Sequence, residues 1–384
     1  MPNEQERQVL REEVRRAVEA FDGAYWREVD RAAAYPEAFV ERLTELGYLA
    51  ALVPPEYGGA GLGIGEASVI LEEIHRSGGN AAACHAQMYT MGTVLRHGSE
   101  ELKARYLPDI AKGTLRLQAF GVTEPDAGSD TTRISTRATR VGDEYVINGQ
   151  KTFISRVEFS DLLLLLARST PAGENEHRTD GLSVFLVDLR EAGEGVTWQR
   201  IPLMFNHHSY QVFLTDLHVP ASGLVGEEGK GFRYIIDGWN AERCLIASEA
   251  IGDGRFFVNR AAAYASTRQV FGRMIGENQG VQFPIAAAHA EVEAAALMRD
   301  RAAELFDAGR PCGPEANMAK LLASRASRQA GEAAVTAFGG SAFMVENDIE
   351  RKLRETNLFE VAPVSNNLVL AYLGQNVLGM PRSY

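Results

Sequence analysis

"TRISTRATRVGDEYVINGQKTFISR", residues 132–156, is where the texture of this chain changes. β-branched residues alternate with polar ones through it, the period of a strand with one buried face. Asn148-Gly149 within it is a strong hairpin-turn signal, since both residues tolerate positive φ. Short strand-like runs continue downstream: "DLLLLLARS" (161–169), "GLSVFLVDL" (181–189), "GVTWQRI" (195–201) and "HSYQVFLTDLHVP" (208–220). Together they predict a compact β-domain, a small barrel or sandwich, over residues 119–229.

On both sides the pattern is helical. Upstream, "AFVERLTELGYLAALV" (38–53) places apolar residues at three- and four-residue steps, and "GEASVILEEIHRSG" (65–78) and "EELKARYLPDIAKGT" (100–114) repeat this. Downstream, the long Ala-rich stretch from Gly231 to Arg268 is followed by two more, at 283–309 and 315–340, the last closed by a double glycine. Near the end, "LFEVAPVSNNL" (358–368) breaks between two helical stretches, with Pro363 fixing φ. The predicted fold class is α+β and multi-domain: an N-terminal helical domain (1–118), the β-domain (119–229), and a C-terminal domain (230–384) resembling a four-helix bundle.

Composition narrows the function. The 384 residues are 45% hydrophobic and 23% charged, ordinary for a globular protein, and the net charge of −12 argues against a nucleic-acid partner. The longest aliphatic run, Leu162–Leu166, is far shorter than the ~20 residues of a membrane helix and reads as a buried strand, so no membrane insertion is expected. The N-terminus lacks the apolar core of a signal peptide. Cys84, Cys244 and Cys312 form neither a disulfide framework nor a metal-binding pair, which makes a reducing cytoplasm the simplest setting. G-x-G-x-x-G, Walker, H-E-x-x-H and G-x-S-x-G motifs are missing, and no metal site is predicted. His207-His208 cannot share one helix face and reads as a solvated or structural loop.

The richest loop is "FGVTEPDAGSD", residues 120–130, where turn formers, hydroxyls and backbone N–H groups are dense enough to wrap a polar ligand. Followed by "INGQKTFIS" (147–155), it resembles the acyl-CoA dehydrogenase family. "VPPEYGGAGL" (53–62), "GSEELKARYLPDIAKG" (98–113), "YASTRQVFGRMIGENQGVQ" (264–282), "ANMAKLLASRASRQA" (316–330) and "AFGGSAF" (337–343) resemble family landmarks in family order. The resemblance covers nearly the whole chain. It implies FAD as cofactor, a homo-oligomer (dimer or tetramer), and removal of the α-proton and β-hydride from an acyl thioester, with electrons passing to an electron-transfer flavoprotein.

The resemblance also implies a site. Phe120, Val122, Thr123 and Ser129 match flavin contacts, as do Phe153, an aromatic where tryptophan is usual, and Ser155, which keeps a hydroxyl able to reach flavin N5. Arg268 and Phe271 match residues that reach the adenosine diphosphate of a neighbouring subunit's FAD. Gly339 and Gly340 match the backbone approach to the same region, although Thr336 replaces the usual glutamine. In many members the base is a glutamate in a Y-E-G-T segment; here Pro363 takes that place, with Ala362 for the tyrosine and Ser365 for the threonine. Proline also lacks the backbone N–H that helps bind the thioester carbonyl. Isovaleryl-CoA and long-chain types carry the base instead immediately before an arginine on the helix opening the C-terminal domain. Glu242, directly before Arg243, matches that position, with Glu249 seven residues on as its rival. Glu360 is close in sequence but aimed elsewhere. The carrier, CoA or a carrier protein, stays open. So do two alternatives: a same-fold flavin oxidase or monooxygenase, and a non-catalytic FAD-binding partner subunit.

Overall fold

The computed structural model describes residues 4–171 and 177–382. Its chain order is helical, β, helical. The first part comprises α1 (Glu4–Val18), α2 (Gly23–Arg31), α3 (Glu37–Glu45), α4 (Ile64–Arg76), α5 (Ala82–His97) and α6 (Glu100–Lys112). The strands follow: β1 (Ala119–Gly121), β2 (Arg137–Val141), β3 (Glu144–Ser155), β4 (Leu162–Arg168), β5 (Leu182–Asp188), β6 (Val196–Ile201), β7 (Ser209–Pro220) and β8 (Leu224–Val225). Then come α7 (Gly231–Thr267), a small hairpin of β9 (Gln269–Val270) and β10 (Arg273–Met274), α8 (Gln279–Asp307), α9 (Gly313–Phe338), α10 (Ile349–Thr356) and α11 (Asn366–Tyr372). No helix among the described residues is long and apolar enough to cross a membrane.

The strands run in the order β6-β7-β3-β2-β4-β5-β8, with β1 parallel to β4. β4 explains the uninterrupted leucines. Leu163 and Leu165 enter the core between the two halves of the sheet with Tyr145, Phe185 and Val212. Leu162, Leu164 and Leu166 face the other way, onto Leu107 and Ile110 of α6. A strand covered on both faces has no polar side to alternate with. The longer core lies between α4, α5 and the C-terminal helices, where α7 is central; its 37 residues span about 55 Å. A Cβ on Gly252 of α7 would lie 2.5 Å from the Glu72 carbonyl oxygen and from His75 Cβ, so glycine there allows α7 to press onto α4.

One turn prediction is corrected. The β2–β3 hairpin turns at Gly142-Asp143, with Val141 opposite Glu144, whereas Asn148-Gly149 lies inside β3. There the register against β7 shifts between Ile147 and Gly149, and Asn148 exchanges two hydrogen bonds with Asp216, at 3.0 and 2.8 Å. The signal for positive φ was real, with Gly149 at +156°, but tertiary pairing used it for a bulge.

Candidate active site

A second irregularity in β3 builds the site. Its register against β7 slips again between Lys151 and Ile154, and Phe153 is held at φ +57° with its ring 60% exposed. Such a conformation in a bulky residue persists only where the surroundings impose it. They do so on both sides of the bulge. The Thr152 N–H donates to the Thr123 carbonyl (2.9 Å), and the Lys151 ammonium reaches the Val122 carbonyl (3.0 Å) and Glu124 (2.9 Å). Glu124 also accepts from both N–H and Oγ–H of Ser135 and from the Thr136 N–H. Burial opposes its ionisation, but Lys151 and these donors outweigh that and hold it at about 2. Burial lowers Lys151 to about 8, with Glu124 opposing, so the pair is ionised at neutral pH. This buried bridge ties Val122 and Thr123 to Lys151 and Thr152, the two residues immediately before Phe153, while the Phe120 ring lies against Tyr89. Ser129 sits exposed at the far end of the loop.

Glu242 lies on α7, 5% exposed. Burial raises its carboxyl to about 7; His85 and Arg243 pull down, and Glu249 pushes up. Glu249 goes the other way. It is equally buried, yet His85 and His75 lower its pKa against the burial cost. His85 Nδ1 is 3.2 Å from its carboxylate and His75 Nε2 is 3.8 Å away. His75 in turn holds Asp253 (2.7 Å), which Lys352 meets at 2.5 Å. Two carboxyls two turns apart thus have divergent environments, one poised to exchange a proton near neutrality and one held as an anion. Tyr89 links this cluster to the β-domain: its ring lies 5.4 Å from His85 and 5.6 Å from Phe120. The spacing of His85 and Tyr89, one helical turn on α5, was the available sequence signal for both.

Arg243 is buried beside Glu242, its Nη1 donating to Asn240 (3.4 Å) and its guanidinium lying over Trp239. Burial lowers Lys320, on α9, to about 8, with Arg243 adding to the effect. Lys320 donates to Asn366 Oδ1 (2.8 Å), pinning the 358–368 break near this cation pair. Ser365 caps α11 by accepting from the Leu368 N–H (3.4 Å). Glu360 pairs with Arg328 (2.8 Å) at the surface. The Ala362 N–H is taken by the Leu358 carbonyl (2.9 Å).

The structure separates the remaining predicted residues from this cluster. Arg268 follows the C-terminus of α7, about 39 Å along the helix from Glu242. Tyr264 stacks on Phe338 (4.1 Å), which gathers Arg268, Gly339 and Gly340 at one end of the molecule. Phe271, at the tip of the β9–β10 hairpin, is fully exposed. A Cβ on either Gly339 or Gly340 would meet nothing within 4 Å. The adjacent histidines are not solvated: His208 is buried, and His207 bridges Ser155 and Arg156.

The exposed Phe153 ring and the Ser155 hydroxyl two residues on fit a flavin ring, while the open approach at Gly339-Gly340 and Arg268 lies at the far end of α7. Three family descriptions tile the chain: "Acyl-CoA dehydrogenase, N-terminal domain" matches residues 4–114, the middle domain 119–216, and the C-terminal domain 229–376. They define the class, an oxidoreductase with FAD as cofactor. The chain is 36% identical over 383 residues to the acyl-CoA dehydrogenase FadE12 of Mycobacterium tuberculosis, covering 99% of this chain and 98% of that relative. It is 35% identical over 363 residues to cyclohex-1-ene-1-carbonyl-CoA dehydrogenase of Syntrophus aciditrophicus, covering 91% and 84%. A glutaryl-coenzyme A dehydrogenase in complex with glutaryl-CoA superposes with a TM-score of 0.93 at 29% identity, over 100% of this chain and 98% of that one. A structure described as the electron transferring flavoprotein of Acidaminococcus fermentans gives 0.90 at 27%, over 98% and 99%. The chain belongs to the acyl-CoA dehydrogenase family.

Proposed function

We propose that the protein dehydrogenates an acyl thioester between Cα and Cβ, with Glu242 as the base. The observation that carries this is the buried Glu242 carboxyl raised to about 7, on the chain that has Pro363 where many relatives place a glutamate. A base with its pKa near working pH is deprotonated often enough to act and still basic enough to hold the α-proton. FAD, when bound, supplies the hydride acceptor for the β-hydrogen. The thioester α-proton must also be acidified by donors at the carbonyl oxygen. Pro363 has no N–H and that of Ala362 is committed, which leaves the Val364 N–H, which donates to no acceptor among the described residues. The Lys320–Asn366 contact holds that segment in place, and Arg243 supplies a buried positive charge beside the base.

Phe120, Val122, Thr123, Ser129, Phe153, Ser155 and Ser365 serve the chain's own cofactor in this reading. Arg268, Phe271, Gly339 and Gly340 serve the adenosine diphosphate end across a homo-oligomer contact. Exposed Phe271, Phe343, Met344 and Val345 support such a contact. A cytoplasmic location fits three buried, unpaired cysteines. An electron-transfer flavoprotein is the proposed acceptor, and acyl-CoA or an acyl-carrier thioester the substrate. The missing N–H at Pro363 favours a second reading, an oxidase of the same fold.

The test is anaerobic flavin bleaching by a panel of thioesters, wild type beside Glu242→Gln. Bleaching of wild type with a loss of roughly 10²–10⁴-fold in the variant supports the reading. Equal rates remove Glu242 as base, and no bleaching by any thioester removes the dehydrogenase reading. Oxygen consumption in place of dye reduction selects the oxidase.

A further inference from the structure

The end of β3 carries a chain of hydrogen bonds whose direction can be worked out from chemistry alone. Arg156 Nη2 lies 3.3 Å from His207 Nδ1, and His207 Nε2 lies 2.9 Å from Ser155 Oγ. A guanidinium has only donors, so Nδ1 of His207 accepts and carries no hydrogen. The imidazole proton therefore sits on Nε2 and is donated to Ser155 Oγ. With that lone pair taken, the serine hydroxyl hydrogen points away from His207. The geometry points to Arg156 and His207 as positioning residues that hold the Ser155 hydroxyl as a donor toward the bound flavin.

The surroundings support a fixed direction. Arg156 is buried, at φ +56°, and its own N–H donates to the His208 carbonyl (2.7 Å), which clamps the two loops together. The groups acting on His207 are Arg156, His208 and His85, all of them disfavouring a charged imidazole, and burial is the largest influence of all. Its pKa lies well below the usual range, so the relay does not switch across neutral pH. Rotating a serine hydroxyl is otherwise nearly free, and a relay that removes this freedom organises the donor before the reaction rather than during it.

The inference rests on the cofactor contact proposed for Ser155, and a double-mutant cycle on the FAD-loaded enzyme tests it. Ser155→Ala, His207→Phe, His207→Gln and the double variant Ser155→Ala/His207→Phe are compared in flavin midpoint potential, FAD dissociation constant and rate of flavin reduction by thioester. Ser155→Ala and His207→Phe should each slow reduction roughly 10–100-fold and shift the potential in the same direction. The double variant should match Ser155→Ala, because His207 acts only through that hydroxyl. Gln, which can accept from Arg156 and donate to Ser155, should restore the potential. The effect should not change between pH 6 and 8. Additive losses, or a failure of Gln to restore the potential, overturn the relay. The potential and dissociation constant are read without a substrate, so they judge the relay even if no thioester reduces the flavin and the dehydrogenase reading falls.

Discussion

Replacing Glu242 by glutamine should slow turnover by roughly 10²–10⁴-fold and yet make the protein more stable at alkaline pH. Glu242 is buried, and burial raises its pKa from 4.5 to about 7. At about 1.4 kcal/mol per pH unit, the ionised form is penalised in the folded protein by on the order of 3 kcal/mol relative to the unfolded chain. The sign follows from the raised value. Below pH 4.5 the carboxyl is neutral in both states and costs nothing. Between 4.5 and about 7 the unfolded chain releases its proton first, so stability falls, and above 7 the loss is complete. Glutamine keeps the shape and never ionises. The variant should therefore melt with wild type near pH 4.5 and above it at pH 8.5, by roughly 4 °C for a chain of this length. FAD-saturated protein, melted at fixed concentration across that pH range, gives the comparison. If the two curves stay parallel, or if the gap opens toward acid, Glu242 is not a carboxyl whose ionisation the fold opposes. The case for it as a neutral-pH base would fall with that result.

Three further outcomes follow from the same contacts. The acid limb of kcat/KM should report Glu242 with an apparent pKa of about 7, and Glu249→Gln should move that limb to lower pH, because the Glu249 anion raises Glu242; a limb that stays put in the variant separates the two carboxyls. Arg299→Leu removes a buried guanidinium bonded to Glu72 (2.7 Å) and Ser248 (2.8 Å), and should cost about 1–3 kcal/mol in denaturant unfolding, because Glu72 loses one charged hydrogen bond but keeps Arg11 (2.6 Å) and Arg255. Gly252→Ala drives a methyl to 2.5 Å from the Glu72 carbonyl oxygen, and should destabilise by roughly 1–3 kcal/mol while shifting the limb set by Glu242, since α7 must move against the helix that carries His75; an unchanged melting temperature would show the helices free to part.

The helical–β–helical order was readable because each part announces itself within a few residues. The alternation in 132–156 has period two, and the flanking segments have the three- and four-residue steps of helices facing one core. Glu242 became the candidate base for a different reason, since Pro363 removes the alternative carboxylate and a glutamate beside an arginine matches the second family position. Its protonation behaviour was not readable. That depends on His85 from another helix and on the water excluded by the packing of α4, α5 and α7, and none of this is local in sequence.

Asn148-Gly149 shows the same boundary at the scale of two residues. The pair specifies a backbone able to take positive φ, which the sequence alone establishes. Whether that freedom makes a turn or a bulge depended on Asp216, sixty-eight residues away, which bonds Asn148 across the sheet. His207 is the functional counterpart. As one of two adjacent histidines it carried no periodic signal, and it became part of a directed relay only when β7 and its preceding loop brought it to Arg156 and Ser155. Sequence by itself determined the elements, the family landmarks and the absence of an acid at position 363. Tertiary structure decided which carboxyl is protonatable near neutrality and which way a hydroxyl points, because desolvation and hydrogen-bond direction belong to neighbours that the chain order does not place side by side.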